Sequence, residues 1–283
     1  MAELDQPAAW TWDEETSRHW LAEVNAREAL LVPVLEALME AAELSTGERV
    51  LDVGCGAGTT TLAAAVRVGP QGVVTGVDIS PAMIAAARER AADEQVDWLV
   101  ADAEQHRFPA GSYDAVISRF GVMFFADPLR AFRNLAAACR EGGRLVVVVW
   151  PLRDRSDFFT RPLQVLVGTG QRLGRALPLP PVNRGPFSLG DPERLHRLLS
   201  DAGWRDITID LDQRKLYLGG PGASVEQAVD FVLDLGPAQM ALGEQPAELV
   251  DTARSDLARA LLGWKDDVGF GLPGGFLVVS ARR

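Results

Sequence analysis

Three glycines on alternate positions, accompanied by two acidic residues, are the part of the sequence best suited to bind a ligand. Gly54, Gly56 and Gly58 follow an apolar run that contains Asp52, and Asp78 comes twenty residues after the last glycine. Glycines let a ligand approach the backbone closely, and the N–H groups at the start of a following helix favour a negatively charged group. A carboxylate at a strand end can accept hydrogen bonds from both hydroxyls of a ribose. These residues together predict a site for a ligand that contains adenosine and an anionic tail.

Two classes of cofactor fit this description, the nicotinamide dinucleotides and S-adenosylmethionine. A dinucleotide site typically has the spacing Gly-x-Gly-x-x-Gly, whereas residues 52–58 read Asp-Val-Gly-Cys-Gly-Ala-Gly. The common soluble reductases also need a Tyr-x-x-x-Lys pair, but neither Lys215 nor Lys265, the two lysines of the sequence, follows a tyrosine at that spacing. The spacing therefore favours S-adenosylmethionine.

The elements that must position these residues alternate between strands and helices. Short apolar runs typical of buried strands alternate with helical patterns from about Gly47 to Trp150. The first run ends at the glycines and the second ends at Asp78, where Ser80 and Pro81 then begin a helix. Strands separated by helices pair in parallel, and ligands bind at the carboxyl ends of such strands. The pattern predicts an α/β fold in which the glycine loop and Asp78 meet at one edge of the sheet.

The remainder of the chain predicts additions around this core. Residues 27–44 have the pattern of an amphipathic helix, residues 151–190 read as a loop, and residues 205–218 alternate like one strand. A long loop and a helical insert in a compact domain are expected to cover a site. The predicted segments are an N-terminal helical and aromatic segment covering the site (1–46), the cofactor-binding core (47–150), a lid loop with a helix and a sheet strand (151–220), a helical lid insertion (221–268) and a final strand (269–283).

Charge and composition restrict the classes of protein to which the chain can belong. The 283 residues carry a net charge of −11 and no run of lysines and arginines, so binding to nucleic acid is not expected. Two cysteines and three scattered histidines give no pattern of metal ligands. The N-terminus lacks the features of a signal peptide, and no apolar stretch is long enough to span a membrane. We therefore expect a cytoplasmic globular protein that binds neither metal nor membrane.

Four motifs resemble, in their order and spacing, those of the class I S-adenosylmethionine-dependent methyltransferases: VLDVGCGAG, VTGVDIS, VADAEQHRFPAGSYDAVISRFGVMFF and EGGRLVVVVW. The resemblance covers residues 27–150 closely and the remainder only in outline. It implies a Rossmann-like, seven-stranded and mostly parallel sheet with helices on both faces and an antiparallel last strand. It also implies S-adenosylmethionine as the cofactor and S-adenosylhomocysteine as the product.

The resemblance further implies roles for individual residues around the cofactor. Asp52 supports the loop 54–58, which lies along the methionine part, and Asp78 binds the ribose. Asp102 and Ala103 recognise the edge of the adenine. The complete set of expected cofactor-binding residues is Asp52, Gly54, Cys55, Gly56, Gly58, Asp78, Ile79, Met83, Asp102, Ala103, Ser118, Arg119 and Phe120, of which the last three also face the substrate.

Fewer residues are candidates for the transfer step. Displacement at an activated methyl group mainly needs an acceptor atom held in line and protected from water. His19, His106 and Arg119 are the candidate catalytic residues, although each histidine could equally be a solvated or packed side chain. The expected substrate-side residues are Trp12, Trp20, Met123 and Phe124, and docking of an apolar N-terminus would explain the two tryptophans equally well.

The sequence thus predicts an enzyme that transfers a methyl group to an N, O or C atom of a small molecule inside a lidded pocket. We expect a monomer or a homodimer. Two alternatives stay open at this point, an NAD(P)-dependent reductase and a regulator that binds S-adenosylmethionine without catalysis, because a fold does not determine a function.

Overall fold

Seven strands form one sheet at the centre of the molecule. The computed structural model describes residues 14–91, 96–179, 181–183 and 185–283. The strands of this part are β1 (Arg49–Val53), β2 (Val73–Asp78), β3 (Val96–Val100), β4 (Tyr113–Arg119), β5 (Cys139–Val149), β6 (Arg205–Asp212), β7 (Lys215–Tyr217), β8 (Gly271–Pro273) and β9 (Phe276–Arg282). The sheet has the order β3-β2-β1-β4-β5-β9-β6, and β7 pairs with β8 in a separate ribbon.

The direction of the strands agrees with the expected fold. Strands β1 to β5 pair in parallel, and β9 is antiparallel to both of its neighbours, β5 and β6. The central strands consist mostly of fully buried apolar residues, such as Val50 and Leu51 in β1 or Val116 and Ile117 in β4. Such strands are covered on both faces. The predicted α/β class and the mostly parallel sheet with an antiparallel last strand are confirmed.

Helices pack around the sheet and begin where the sequence supplies capping residues. They are α1 (Glu14–Ala22), α2 (Val24–Leu30), α3 (Val32–Ala42), α4 (Thr59–Val68), α5 (Pro81–Arg90), α6 (Pro128–Ala138), α7 (Asp157–Arg172), α8 (Pro192–Asp201), α9 (Val225–Asp234), α10 (Gly236–Leu242) and α11 (Ala247–Leu262). Ser80, Asp127 and Asp191 each accept a backbone N–H of the following first turn, and each precedes a proline. A proline there loses no hydrogen bond. Within the described residues, no helix is long and apolar enough to cross a membrane.

Two helical predictions need correction. The segment 27–44 is divided between α2 and α3 at Leu31, because Pro33 is tolerated only in the first turn of a helix. The predicted loop 151–190 contains α7, whose Pro162 and two glycines concealed it in the sequence. Phe158 and Leu166 on this helix are buried, and their burial offsets the backbone hydrogen bond that Pro162 cannot make.

The alternating segment 205–218 is also not one strand. β6 lies at the edge of the main sheet beside β9, whereas β7 pairs antiparallel with β8. Between β6 and β7, a carboxylate oxygen of Asp212 accepts a hydrogen bond from the backbone N–H of Arg214 at 2.8 Å, a local turn that redirects the chain. The β7–β8 ribbon joins the two ends of the segment 218–270, which contains α9, α10 and α11.

Candidate functional site

The glycine loop after β1 is built from three residues with left-handed backbone angles. The φ values of Gly54, Gly56 and Gly58 are 65°, 54° and 87°. A Cβ at Gly54 would lie 2.6 Å from the Cα of Gly121, and a Cβ at Gly58 would lie 2.6 Å from the ring of Trp98. At Gly56, which lines a cavity, a Cβ would meet no described atom within 4 Å. Packing therefore explains two of the glycines, while the third leaves bare backbone facing the cavity.

Asp78, at the end of β2, fixes this loop. Its Oδ2 accepts a hydrogen bond from the backbone N–H of Gly56 at 2.9 Å, and its Oδ1 accepts one from the N–H of Ser80 at 2.9 Å. Burial raises the pKa of Asp78, and these backbone hydrogen bonds oppose the rise. Each carboxylate oxygen has a second lone pair. The side chain can therefore hold the loop and also accept hydrogen bonds from a ligand in the cavity.

Asp52 lies behind the loop and is fully buried in β1. Its Oδ2 accepts a hydrogen bond from the Thr61 hydroxyl at 2.6 Å. Its Oδ1 is buried and has no hydrogen-bond partner among the residues that the structure describes. Burial raises the pKa of Asp52 to about 7, against the opposing effects of Thr61 and of the charge on Arg119. The Asp52 carboxyl group is therefore about half ionised near neutral pH, and a charge bound nearby changes the ionised fraction.

A cavity of about 790 Å³ opens at the carboxyl ends of β1, β2 and β4. Its size is in the usual range for a small-molecule site. The predicted site residues that line it are Gly54, Cys55, Gly56, Asp78, Ile79, Met83, Asp102, Ala103, Arg119, Phe120, His19, Trp20, Met123 and Phe124. The structure therefore brings most of the predicted cofactor side and substrate side together in one cavity.

A few predicted residues lie elsewhere. Those that do not line the cavity are Asp52, Gly58, Ser118 and His106, and Trp12 lies outside the described residues. The Ser118 hydroxyl donates to the carbonyl of Val53 at 2.7 Å and accepts from the N–H of Gly121 at 3.2 Å, so it supports the loops behind the cavity. The ring of His106 packs edge-on against Phe108 at 4.7 Å, which gives this histidine a packing role.

The end of the cavity near β3 has the features expected for a flat base. Ile79 presents an apolar side chain that is 55% exposed. The Oδ1 of Asp102 accepts a hydrogen bond from the N–H of Glu104 at 2.9 Å, and its Oδ2 accepts one from the Gln105 side chain at 2.6 Å. These bonds hold the Asp102 carboxylate at the cavity wall. Burial raises the pKa of the Cys55 thiol far above its usual range, so Cys55 contributes shape and not a thiolate.

A buried ion pair in the cavity wall was not predicted from the sequence. Nη2 of Arg119, at the end of β4, lies 2.7 Å from both carboxylate oxygens of Glu28 in α2. The two side chains are 8% and 11% exposed. Nη1 of Arg119 is also buried, and no described residue accepts a hydrogen bond from it. Arg119 lines the cavity, and its guanidinium group is suited to an anionic group of a ligand.

A second charged cluster joins the N-terminal helices to the helical segment 218–270. Asp234, the last residue of α9, has its Oδ1 2.7 Å from Nε2 of His19, and its Oδ2 accepts a hydrogen bond from Arg27. Gln239 also donates to Oδ1 at 3.1 Å. A buried hydrogen bond of 2.8 Å between the hydroxyls of Ser17 and Ser80 holds α1 over the start of α5. All of these helices contribute to the cavity wall.

A column of aromatic rings forms the apolar part of the cavity wall. Phe120 stacks on Trp150 with ring centroids 4.2 Å apart and planes inclined by 12°. Trp150 and Phe158 are also nearly parallel, at 6.0 Å and 4°. Phe159 and Phe231 meet this column edge-on, at centroid distances of 4.9 Å to Trp150 and 6.2 Å to Phe158 respectively. Phe120 and Phe231 are only half-buried, so they keep ring surface available to the cavity.

Known proteins resemble part of this chain in sequence. A family model described as a methyltransferase domain matches residues 51–147. Aklanonic acid methyltransferase of Streptomyces sp. (strain C5) is 41% identical over 116 residues, which cover 40% of this chain and 53% of that protein. Nocamycin O-methyltransferase of Saccharothrix syringae is 35% identical over 116 residues, which cover 40% and 41%. The chain thus spans about half the length of the curated relatives that it matches.

A solved structure agrees over a larger part of the chain. The phosphoethanolamine N-methyltransferase 2 of Haemonchus contortus, in complex with S-adenosyl-L-methionine, superposes with a TM-score of 0.57 and 19% identity, over 94% of this chain and 60% of that one. At this identity the likeness shows the fold alone. The matched domain, the glycine loop after β1 and the order of the strands together identify residues 51–147 as a class I S-adenosylmethionine-dependent methyltransferase domain.

Proposed function

We propose that the protein transfers a methyl group from S-adenosylmethionine to a small molecule bound beneath its helical segment 218–270. The observation that carries this proposal is the bare backbone at Gly56 beside the carboxylate of Asp78 in the cavity. A side chain at position 56 would enter space that the fold leaves open to a ligand. The names of two relatives, which refer to aklanonic acid and to nocamycin, support a small-molecule acceptor.

The residues around the loop fit the parts of this cofactor. Asp78 would accept hydrogen bonds from the two ribose hydroxyls, and Ile79 and Asp102 would contact the adenine. The amino acid end of the cofactor carries a positive and a negative charge, and Asp52 and Arg119 offer a match for each. The guanidinium group of Arg119 would attract the carboxylate, and Asp52 behind the loop would favour the positive charges through space.

When bound, S-adenosylmethionine supplies an activated methyl group, and its transfer leaves S-adenosylhomocysteine. The protein must then orient the acceptor and exclude water. α1 and the helices of the segment 218–270 would do both, since they are held together across the cavity by the cluster around Asp234. We assign to His19 the role of accepting the acceptor's proton, with Asp234 fixing the orientation of its ring.

Calorimetric titration with S-adenosylmethionine, S-adenosylhomocysteine and NAD tests the proposal. We expect the first two to bind and Asp78→Asn to weaken them by about ten- to hundredfold, because hydrogen bonds to a charged acceptor contribute about 1.5–3 kcal/mol each. Asparagine keeps one oxygen, which can still accept from one of the two backbone N–H groups. Asp97→Asn, an exposed change on β3, is the matched control and should leave binding unchanged.

The outcomes separate the alternative functions. Binding of NAD alone would refute the proposal in favour of a reductase. Binding of S-adenosylmethionine without methylation of any acceptor in a broad screen would favour a regulator. Product analysis by mass spectrometry and NMR would identify the acceptor as nitrogen, oxygen or carbon.

A further inference from the structure

We propose that the acceptor is a flat, conjugated and largely apolar molecule that carries an acidic oxygen, and that methylation takes place on this oxygen. The inference rests on the proposed function, because it describes the second substrate of the same cavity.

The shape of the acceptor follows from the aromatic column. Phe120, Trp150 and Phe158 have nearly parallel planes, and Phe231 meets the column edge-on. Aromatic rings prefer offset stacked or edge-to-face partners, and such contacts contribute beyond the burial of apolar area. Because Phe120 and Phe231 are half-buried and line the cavity, a flat ring system can extend this arrangement. A small polar acceptor would leave its polar groups unpaired against the same rings.

The column begins beside the cofactor loop. Phe120 directly precedes Gly121, and the Cα of Gly121 lies so close to Gly54 that no Cβ fits between them. Phe120 itself has a left-handed backbone, with a φ of 65°, which is unusual for a residue with a bulky side chain. This backbone places an aromatic ring next to the loop expected to hold the methionine part. An acceptor on the column is therefore beside the position of the transferable methyl group.

The polar part of the acceptor follows from Arg27. Its Nη2 donates to Asp234, which lies one helical turn after Phe231 on α9. Its Nε is buried and has no hydrogen-bond partner in the described part of the chain. Arg27 and His19 line the same cavity as Phe231, so they bring a positive charge and a proton acceptor to the wall that carries the aromatic column. An acidic oxygen at the edge of a flat ring fits both groups.

The bond changes are balanced with these groups alone. A C–O bond forms as the S–C bond of the cofactor breaks, and the electron pair of the broken bond stays on sulfur. The proton of a hydroxyl acceptor passes to His19, whereas a carboxylate arrives without one. Arg27 stabilises the oxygen in either case.

The test measures binding and not turnover. Protein saturated with S-adenosylhomocysteine is titrated calorimetrically with 2-naphthol, with 2-naphthoate, and with the saturated decahydro analogue of each. We expect at least one aromatic probe to bind about tenfold more tightly than its saturated analogue. The naphthol and naphthoate arms distinguish a hydroxyl from a carboxylate. Arg27→Gln should weaken that probe about tenfold, and Phe231→Leu should weaken it about threefold. Arg161→Gln, which changes an exposed arginine also paired with an aspartate, should have no effect.

Equal binding of flat and saturated probes would overturn the shape argument, and an unchanged affinity in Arg27→Gln would overturn the acidic oxygen. Binding of S-adenosylhomocysteine with no binding of any aromatic probe would overturn the inference and leave the proposed function intact. Failure of S-adenosylhomocysteine itself to bind would overturn the proposed function.

Discussion

Replacing Asp52 with asparagine should change how the stability of the protein depends on pH. Asp52 is fully buried, and burial raises its pKa from 3.8 to about 7. The folded protein therefore keeps this proton at pH values where the unfolded chain has lost it. The resulting contribution to stability is complete below about pH 4 and is lost as the pH rises through 7.

The size of the effect follows from the two pKa values. Each unit of difference corresponds to about 1.4 kcal/mol. Between pH 5 and pH 8, ionisation of Asp52 should lower the free energy of unfolding of the wild-type protein by about 2–3 kcal/mol. Asparagine cannot ionise, so Asp52→Asn should lack this component. Its oxygen can still accept from Thr61, and any cost of its buried NH₂ group is the same at both pH values.

Urea unfolding, followed by circular dichroism at pH 5 and pH 8, measures the difference. Asp114→Asn is the matched control. Asp114 is partly buried, but hydrogen bonds from Arg49 and Arg140 hold its pKa below the usual value. Asp114 therefore stays ionised throughout this pH range, and Asp114→Asn should change the free energy of unfolding equally at both pH values. If Asp52→Asn and the wild type lose equal stability between pH 5 and pH 8, the reasoning about Asp52 is wrong.

Three further predictions concern the loop, the buried ion pair and the proton acceptor. Gly56→Ala should cost about 1–2 kcal/mol of stability, because residue 56 has a left-handed backbone. It should also lower the affinity for S-adenosylmethionine at least about tenfold, since the added Cβ enters the cavity. Gly58→Ala should cost more stability than Gly56→Ala, because the Cβ at position 58 also meets Trp98. Calorimetry and urea midpoints would show this contrast, and equal effects in both assays would contradict it. Glu28→Gln should lower the free energy of unfolding by about 3–5 kcal/mol, because it leaves Arg119 buried without its carboxylate; a loss below about 1 kcal/mol would show that the pair is solvated. His19→Gln should lower kcat for a hydroxyl acceptor by about a hundredfold while the affinity for S-adenosylmethionine stays unchanged, and an unaltered kcat would remove His19 from the mechanism.

Local sequence patterns were sufficient to predict the core of the fold and the neighbouring positions of the glycine loop and Asp78. The glycine loop and Asp78 lie at the ends of adjacent strands, so alternation of strands and helices was enough to bring them together. The helix α7 was missed because Pro162 reads as a helix breaker, and only its tertiary burial makes the helix favourable. The division of segment 205–218 was missed because the pairing of β7 with β8 depends on a partner more than fifty residues away.

The contacts between charged groups in the cavity wall could not be predicted for a related reason. Glu28 meets Arg119 across 91 positions of sequence, and Asp234 meets His19 across 215. No spacing in the sequence predicts either contact, since both depend on how separate helices pack over the sheet. His19 was a candidate because it lies in the aromatic N-terminal segment expected to cover the site, whereas its partner Asp234 became visible only in the folded structure.

The β7–β8 ribbon has a consequence for how this protein can change during evolution. It brings the two ends of the segment 218–270 side by side, so the helices between them form a closed loop on the scaffold. The entropic cost of closing a loop grows only slowly with its length. Helices of a different length or sequence could therefore replace this segment during evolution without altering the pairing of β9 in the sheet. The part of the cavity wall that these helices form can thus change independently of the glycine loop, which makes the segment a suitable unit for exchange between relatives.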